Sequence, residues 1–254
     1  QLKLVAVNSI NWARIMAQIV YYFYAALSVG GPDREVTFSV PTGNFGDIFA
    51  GYLAKKMGLP VSNLIIATNK NDVLHRVMSS GCYDRATLHH TLSPSMDISI
   101  SSNFERVMFD LYGRDGDKIK ALMTQFETES IQLNDNAMAV AREQFASAAL
   151  DDDATCKVIA DVYHKTGYLL DPHSATGVGA AKLCRNSDKE TIVSLATAHP
   201  VKFDAAIKAA DIGVEPVIPE HMADIFSREE RFAVMPAEQK QVADFIMQKL
   251  AEKK

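Results

Sequence analysis

The residues whose types and spacing suit chemistry gather at Val40-Pro41-Thr42-Gly43-Asn44-Phe45-Gly46-Asp47. Gly43 and Gly46 lack a Cβ, so the backbone here can turn sharply and approach an anion closely. An apolar, β-branched run, Glu35 to Val40, precedes the loop, and a helical pattern, Ile48 to Met57, follows it. Strand, glycine turn and helix start in that order make a phosphate cradle. The first N–H groups of a helix have no intrahelical partner, and the helix dipole is positive at that end. The loop contains no Lys or Arg, so a bound phosphate would rest on backbone N–H groups and short polar side chains. The spacing fits neither Walker A, which needs Lys after its second Gly, nor the dinucleotide-binding GxGxxG. An ordinary turn of an α/β protein accounts for the same residues equally well.

A second group is Thr197-Ala198-His199-Pro200, at the end of the apolar run Thr191 to Ala196. Ligands of open α/β sheets bind beyond the carboxyl ends of strands. A Thr197 hydroxyl there could hydrogen-bond a ring nitrogen; it would serve as well to cap the helix after Pro200. His173 and His199 each adjoin a proline at a turn, a setting that is more often structural than basic, and His89-His90 has no partner pattern. Cys82, Cys156 and Cys184 form no CxxC pair and are odd in number, which fits reduced thiols rather than disulfides or zinc. Asp151-Asp152-Asp153 lacks EF-hand spacing and reads as a helix cap rather than a metal site. No metal set and no Ser–His–Asp order stands out.

These groups need elements to position them. Leu2–Val7, Glu35–Val40 and Asn63–Thr68 read as strands alternating with helices, the spacing of βαβ units in a parallel sheet. Asn11–Val29 reads as a helix apolar on nearly all faces, and so as a buried one. Leu88–Ser102 reads as loop with at most one short strand. Four helical patterns follow, Phe104–Leu111, Asp117–Gln125, Asn136–Ala148 and Ala154–Lys165. Asp171-Pro172 opens another helix, whose small residues at 175, 177 and 179–181 suit close packing. Thr191–Ala196 reads as a strand and Phe203–Ala210 as a helix. Pro236–Lys254 is a charged helix with an apolar stripe, Val242, Phe245, Ile246 and Leu250. The expected class is α/β, a parallel sheet flanked by helices with additional helical segments. The expected division is a large domain, 1–213, with a helical insertion at about 103–167, and an extension, 214–254, packing on it.

Composition narrows the partners. A net charge of -5 with scattered basic residues gives no nucleic-acid footprint. The most apolar run, Ile15–Val29, is broken by Gln18 and Ser28 and is too short to span a bilayer, so no membrane partner is expected, and the reduced thiols fit a cytoplasmic location. The chain opens at Gln1 and almost at once in a strand, without a signal-peptide pattern, and reads as an excerpt of a longer one.

Seven stretches, in order, carry a resemblance: Asn8-Ser9-Ile10-Asn11-Trp12-Ala13-Arg14, Pro41 to Asp47, Thr68-Asn69-Lys70-Asn71-Asp72-Val73-Leu74, Ser93-Pro94-Ser95-Met96-Asp97-Ile98, Ser101 to Arg106, Asp171 to Ala175, and Thr197 to Phe203. Together they resemble the threonine synthase family, in the longer form found in fungi and many bacteria. The resemblance implies fold type II, the tryptophan-synthase-like class of enzymes using pyridoxal 5'-phosphate (PLP). It implies that Gly43, Asn44, Phe45, Gly46 and Asp47 hold the PLP phosphate and that Thr197 faces the pyridine nitrogen. It implies a lyase converting O-phospho-L-homoserine and water to L-threonine and phosphate. Asn8 and Asn11 could reach such a site from a strand end. The family's Phe-Lys-Asp-type motif, with the Schiff-base lysine, and its Ser-Gly-Asp-Thr-Gly-type substrate motif have no counterpart here; Lys70 and Lys202 belong to other motifs. The expectation is therefore a catalytic lysine upstream of Gln1, in a missing N-terminal part of the same protein, and no activity from these residues alone. Two alternatives stand beside it. One is a serine or threonine dehydratase of the same fold, against which the stretch Ser93 to Arg106 speaks. The other is a non-catalytic relative that binds phosphorylated ligands or partner proteins.

Overall fold

The structure, a computed structural model, describes residues 8–252, so the strand expected at Leu2–Val7 lies outside the described residues. Two compact units divide the chain, Gln1–Pro216 and Val217–Lys254.

The first unit opens with α1 (Trp12–Ser28), N-capped by Asn11, whose side chain accepts from Ala13 N at 3.0 Å. There follow β1 (Val36–Pro41), α2 (Gly46–Lys56), β2 (Val61–Thr68), α3 (Val73–Ser80) and β3 (Cys82–Tyr83). After a 3₁₀ turn at Pro94–Met96 come α4 (Phe104–Leu111), α5 (Gly116–Phe126), β4 (Ile131–Gln132), α6 (Asp135–Gln144), β5 (Phe145–Ala149) and α7 (Asp152–Thr166). The unit closes with α8 (Pro172–Cys184), β6 (Ile192–Ser194), a 3₁₀ turn at Pro200–Lys202 and α9 (Asp204–Ala209). The main sheet is parallel, in the order β5-β2-β1-β6. β3 and β4 form a small antiparallel pair. The second unit holds a 3₁₀ turn at Glu220–Met222 and α10 (Gln239–Ala251), on which Phe245 and Ile246 are half-buried while Val242 and Leu250 are exposed.

Every residue of β1 is buried, as expected for the centre of a parallel sheet covered on both faces. Alternation along β2 sorts its side chains: Leu64 and Ile66 join a core with Tyr22, Phe38 and Ile48, whereas Ile65 and Ala67 join one with Ala148, Ile159 and Ala175. The small residues of α8 have a physical cause. A Cβ on Gly177 would stand 2.8 Å from Ser194 Oγ and 3.1 Å from Pro41 Cγ, so only glycine lets α8 lie on the sheet here. Ser39 Oγ then donates to the Gly177 carbonyl at 2.6 Å.

Three expectations need correction. The helix read over Asn136–Ala148 ends at Gln144. Residues 145–149 form β5, paired in parallel with Leu64–Thr68. The alanines there favour a helix intrinsically, but the open edge of β2 offers a full ladder of hydrogen bonds and prevails. The insertion at about 103–167 is thus not purely helical, since it contributes a strand to the main sheet. α1 is not buried on all faces: Ile15, Tyr22 and Ala26 are, but Met16, Val20, Tyr24 and Leu27 are exposed, because the helix packs through one side, onto α2. In the polar stretch 88–102 the regular piece is the 3₁₀ turn, not a strand.

Candidate functional site

The glycine loop lies between β1 and α2, at the carboxyl end of the central strand. Thr42 still belongs to the ladder: its N–H donates to Ala67 O at 2.7 Å, and its hydroxyl donates to Val40 O at 2.6 Å. The donors then stop. The six N–H groups from Gly43 to Ile48 donate to no protein atom among the described residues, and the helical pattern resumes with Phe49 N to Phe45 O at 3.1 Å. α2 has no side-chain cap, and the residue in its N-cap position, Phe45, has φ 61. That left-handed backbone is costly for a non-glycine residue. Its ring is buried against Phe104 and Phe145, with centroids 5.3 and 5.6 Å away, and this packing holds the turn.

The loop's carbonyls, in contrast, are tied from behind. Ser101 Oγ donates to Gly43 O at 2.8 Å, and Asn44 O accepts both Asn103 N (3.0 Å) and Asn103 Nδ2 (2.9 Å). Donors are left open and acceptors are taken, which makes the loop an anion site by polarity as well as by helix dipole.

A cavity of about 230 Å³ adjoins the loop. Pro41–Ile48 line it with Ser95, and α1 and its entry add Ser9, Gln18 and Arg14. The Arg14 side chain makes no hydrogen bond or ion pair among the described residues, while its N–H donates to Asn11 O at 3.1 Å. Sequence reasoning treated the loop as free of cationic help and missed it. The available signal was its place in the first turn after the Asn11 cap, within the Asn8–Arg14 stretch. No lysine is among the described residues that line it. A larger cavity, about 830 Å³, lies among α2, α4 and α5; the open N–H run does not line it, so size does not select the site.

Asp47 sits differently from its neighbours. Its Oδ1 accepts from Tyr21 Oη at 2.5 Å and Tyr22 Oη at 2.9 Å, so the carboxyl is engaged by α1 and its N–H is the group open at the loop. Burial raises its pKa above the ordinary carboxylate value, partly offset by the two phenol hydrogen bonds. Burial, with the Asp47 charge second, pushes both phenols up in turn.

Thr197 follows β6, which runs beside β1 with Leu195 N donating to Ser39 O at 3.0 Å. The register carried forward brings Thr197 level with Thr42, at the same end of the sheet as the loop. Its side chain is exposed, and it is not among the residues lining the 230 Å³ cavity. Its N–H donates to Ser174 Oγ at 3.2 Å.

The other sequence candidates separate. Asn8 is exposed, and Asn11 serves as the α1 cap. His199 caps the following 3₁₀ turn, its Nδ1 accepting from Val201 N at 3.3 Å, so the capping role considered for Thr197 falls to it. His173 is buried, between Asp171 and Ser95. Asp151 caps α7 by accepting from Ala154 N at 2.8 Å. Among the described residues no cluster of three or more His, Cys, Asp or Glu could hold a metal, and no helix is long and apolar enough to cross a membrane.

The stretches flanking the loop knit its surroundings. Asn69 Nδ2 donates to Asp97 Oδ1 at 2.8 Å and to Ser93 Oγ at 3.0 Å, and Asn71 Nδ2 donates to Asp97 Oδ1 at 2.9 Å. Asn69, Asn71 and Ser93 are buried, Asp97 is half-buried, and all are hydrogen-bonded, which fixes the segment that carries Ser95.

Comparison with known proteins gives a consistent set. A family model described as "Threonine synthase, C-terminal" matches residues 174–246. A threonine synthase of Pseudomonas aeruginosa is 58% identical over 247 residues, 97% of this chain and 53% of that protein. A crystal structure of PLP-bound threonine synthase from Brucella melitensis superposes with TM-score 0.90 at 51% identity, covering 96% of this chain and 53% of the other. The yeast threonine synthase structure gives TM-score 0.88 at 38% identity, covering 97% of this chain and 54% of the other. The chain thus spans about half the length of the relatives it matches.

Proposed function

The chain belongs to the threonine synthase family, and from that premise we propose that it supplies the phosphate-holding half of a PLP site in an enzyme converting O-phospho-L-homoserine and water to L-threonine and phosphate. The observation that carries this is the polarity of the loop: six open N–H groups, from Gly43 to Ile48, over carbonyls held by Ser101 and Asn103. Such a cradle fits the dianionic phosphate of the cofactor, and a Cβ on Gly43 would crowd the Ser95 carbonyl behind it. When bound, PLP would supply an electron sink for carbanions at the substrate's α and β carbons.

Each residue then has a part. Gly43, Asn44, Phe45, Gly46 and Asp47 offer backbone N–H groups to the phosphate, with Phe45 holding the turn. Thr197, at the same sheet edge, offers a neutral hydroxyl to the pyridine nitrogen; unlike a carboxylate it does not strongly favour a protonated ring, so the sink is milder. Arg14 brings a permanent charge to the α1 side of the cavity, where a second anion such as the substrate's phosphate would be held. The reaction also needs a lysine to carry the cofactor. No lysine among the described residues lines this cavity, and we place the one needed in polypeptide outside these residues, so that the chain alone would bind but not turn over. On this reading residues 1–213 are the cofactor-bearing domain of a cytoplasmic enzyme, with 214–254 as an extension.

The test uses a full-length protein containing this chain. Phosphate release from O-phospho-L-homoserine with threonine formed, and loss of PLP retention in Asn44→Leu, are expected. Deamination of threonine or serine instead would replace the reading with a dehydratase, and unchanged retention in Asn44→Leu would remove the loop from the site.

A further inference from the structure

Asp171 ends a pair of buried relays. The carboxyl is 1% exposed, and His173 and Ser174 are each 3% exposed. On one side Asp171 Oδ1 accepts from His173 Nδ1 at 3.0 Å, and His173 Nε2 accepts from Ser95 N at 3.1 Å. On the other, Ser174 Oγ donates to Asp171 Oδ2 and accepts from Thr197 N at 3.2 Å. The directions are forced. The Ser95 and Thr197 amides can only donate, so the imidazole and the hydroxyl must accept from them and must place their own protons toward Asp171. A carboxylate is the side chain that accepts on both oxygens at once. The same carboxylate caps α8, taking His173 N at 2.9 Å, so the helix start and both relays form one rigid unit.

The two ends of the relays are the two ends of the proposed cofactor site. Ser95 lines the cavity, and its carbonyl stands 3.1 Å from the position of a Cβ on Gly43. Thr197 is the hydroxyl assigned to the pyridine nitrogen. We propose that Asp171 is a positioning residue, which through His173 and Ser174 fixes the separation between the wall of the phosphate loop and the Thr197 peptide. This rests on the functional reading above. The hydrogen bonds from His173 and Ser174 hold the carboxyl below the ordinary carboxylate range even though burial works the other way, so both acceptor oxygens stay available at neutral pH.

The relays can be cut separately in the full-length holoprotein. His173→Asn keeps a donor toward Asp171 and loses the acceptor for Ser95. The expected result is inorganic phosphate binding to the apoprotein weakened roughly threefold to tenfold, with the absorption spectrum of bound PLP unchanged. Ser174→Ala should do the reverse, shifting the spectrum of bound PLP while phosphate affinity stays within twofold; Ser174→Thr, which retains the hydroxyl, should restore the spectrum. Asp171→Asn leaves one acceptor and one donor, so it must reverse one relay and should change at least one readout. If it does not fold, the Ser174→Ala and Ser174→Thr pair carries the test. Variants that lower the melting temperature but leave both readouts at wild-type values assign Asp171 to the fold alone and overturn the inference. A wild-type protein that binds neither phosphate nor PLP overturns the functional reading itself, a distinct result visible before any variant is made.

Discussion

A Cβ placed on Gly43 would stand 3.1 Å from the Ser95 carbonyl oxygen and 3.3 Å from Met96 Cα. Both neighbours are backbone, and the Asn69–Ser93–Asp97 hydrogen-bond network holds their segment, so neither can yield cheaply. Gly43→Ala is expected to cost about 1–3 kcal/mol of stability and to lower PLP retention in the full-length protein about tenfold. Thermal unfolding together with cofactor loss on gel filtration measures both, and retention equal to wild type would falsify the close approach.

Phe45 sets two effects against each other. Phe45→Gly would relieve the left-handed backbone by about 1–2 kcal/mol but remove a ring packed between Phe104 and Phe145, a loss of about 3–5 kcal/mol. The net expectation is destabilisation by about 2–3 kcal/mol, read from urea midpoints. A glycine variant as stable as wild type would mean that the turn, not the ring, dominates.

Asp47 makes stability depend on pH with a definite sign. Burial raises its folded-state pKa above the unfolded value. Between the two values the folded protein binds more protons, so this contribution is present below the unfolded pKa and is lost as pH rises through the folded one. Asp47→Asn removes the titration while keeping an acceptor for Tyr21 and Tyr22. Its stability relative to wild type should therefore improve between about pH 4 and pH 7. Denaturation at both pH values decides, and an unchanged or reversed difference would contradict the burial argument.

Arg14 is exposed and makes no ion pair within the described residues, so Arg14→Gln should leave stability within about 0.5 kcal/mol. Affinity of the full-length protein for a phosphorylated ligand should fall about tenfold or more, the loss being smaller at high salt. Isothermal titration at two salt concentrations checks this; equal affinities would take Arg14 out of the site.

What the sequence legibly held was local. The strand–glycine–helix order at Gly43–Asp47, the start of α8 at Asp171-Pro172 and the cap at Asp151 depend on residues within a few positions of one another, and short-range sterics and hydrogen bonds suffice to read them. The ordered motifs identified the family for the same reason, since each is a short run whose residue types survive as a pattern.

Tertiary structure decided what depends on distant partners. Nothing within 145–149 marks a strand; pairing with β2 makes it one. Gly43 and Asn44 show no sign that residues 58 and 59 positions later take their carbonyls, yet that is what leaves the loop with open donors alone. His173 looked like an ordinary turn histidine, and its bond to Ser95, 78 residues away, makes it a strut. The physical reason is common to all three. A hydrogen bond satisfied across the fold leaves no periodicity in the chain, so local sequence places the donors and acceptors, and packing alone settles which of them remain for a ligand.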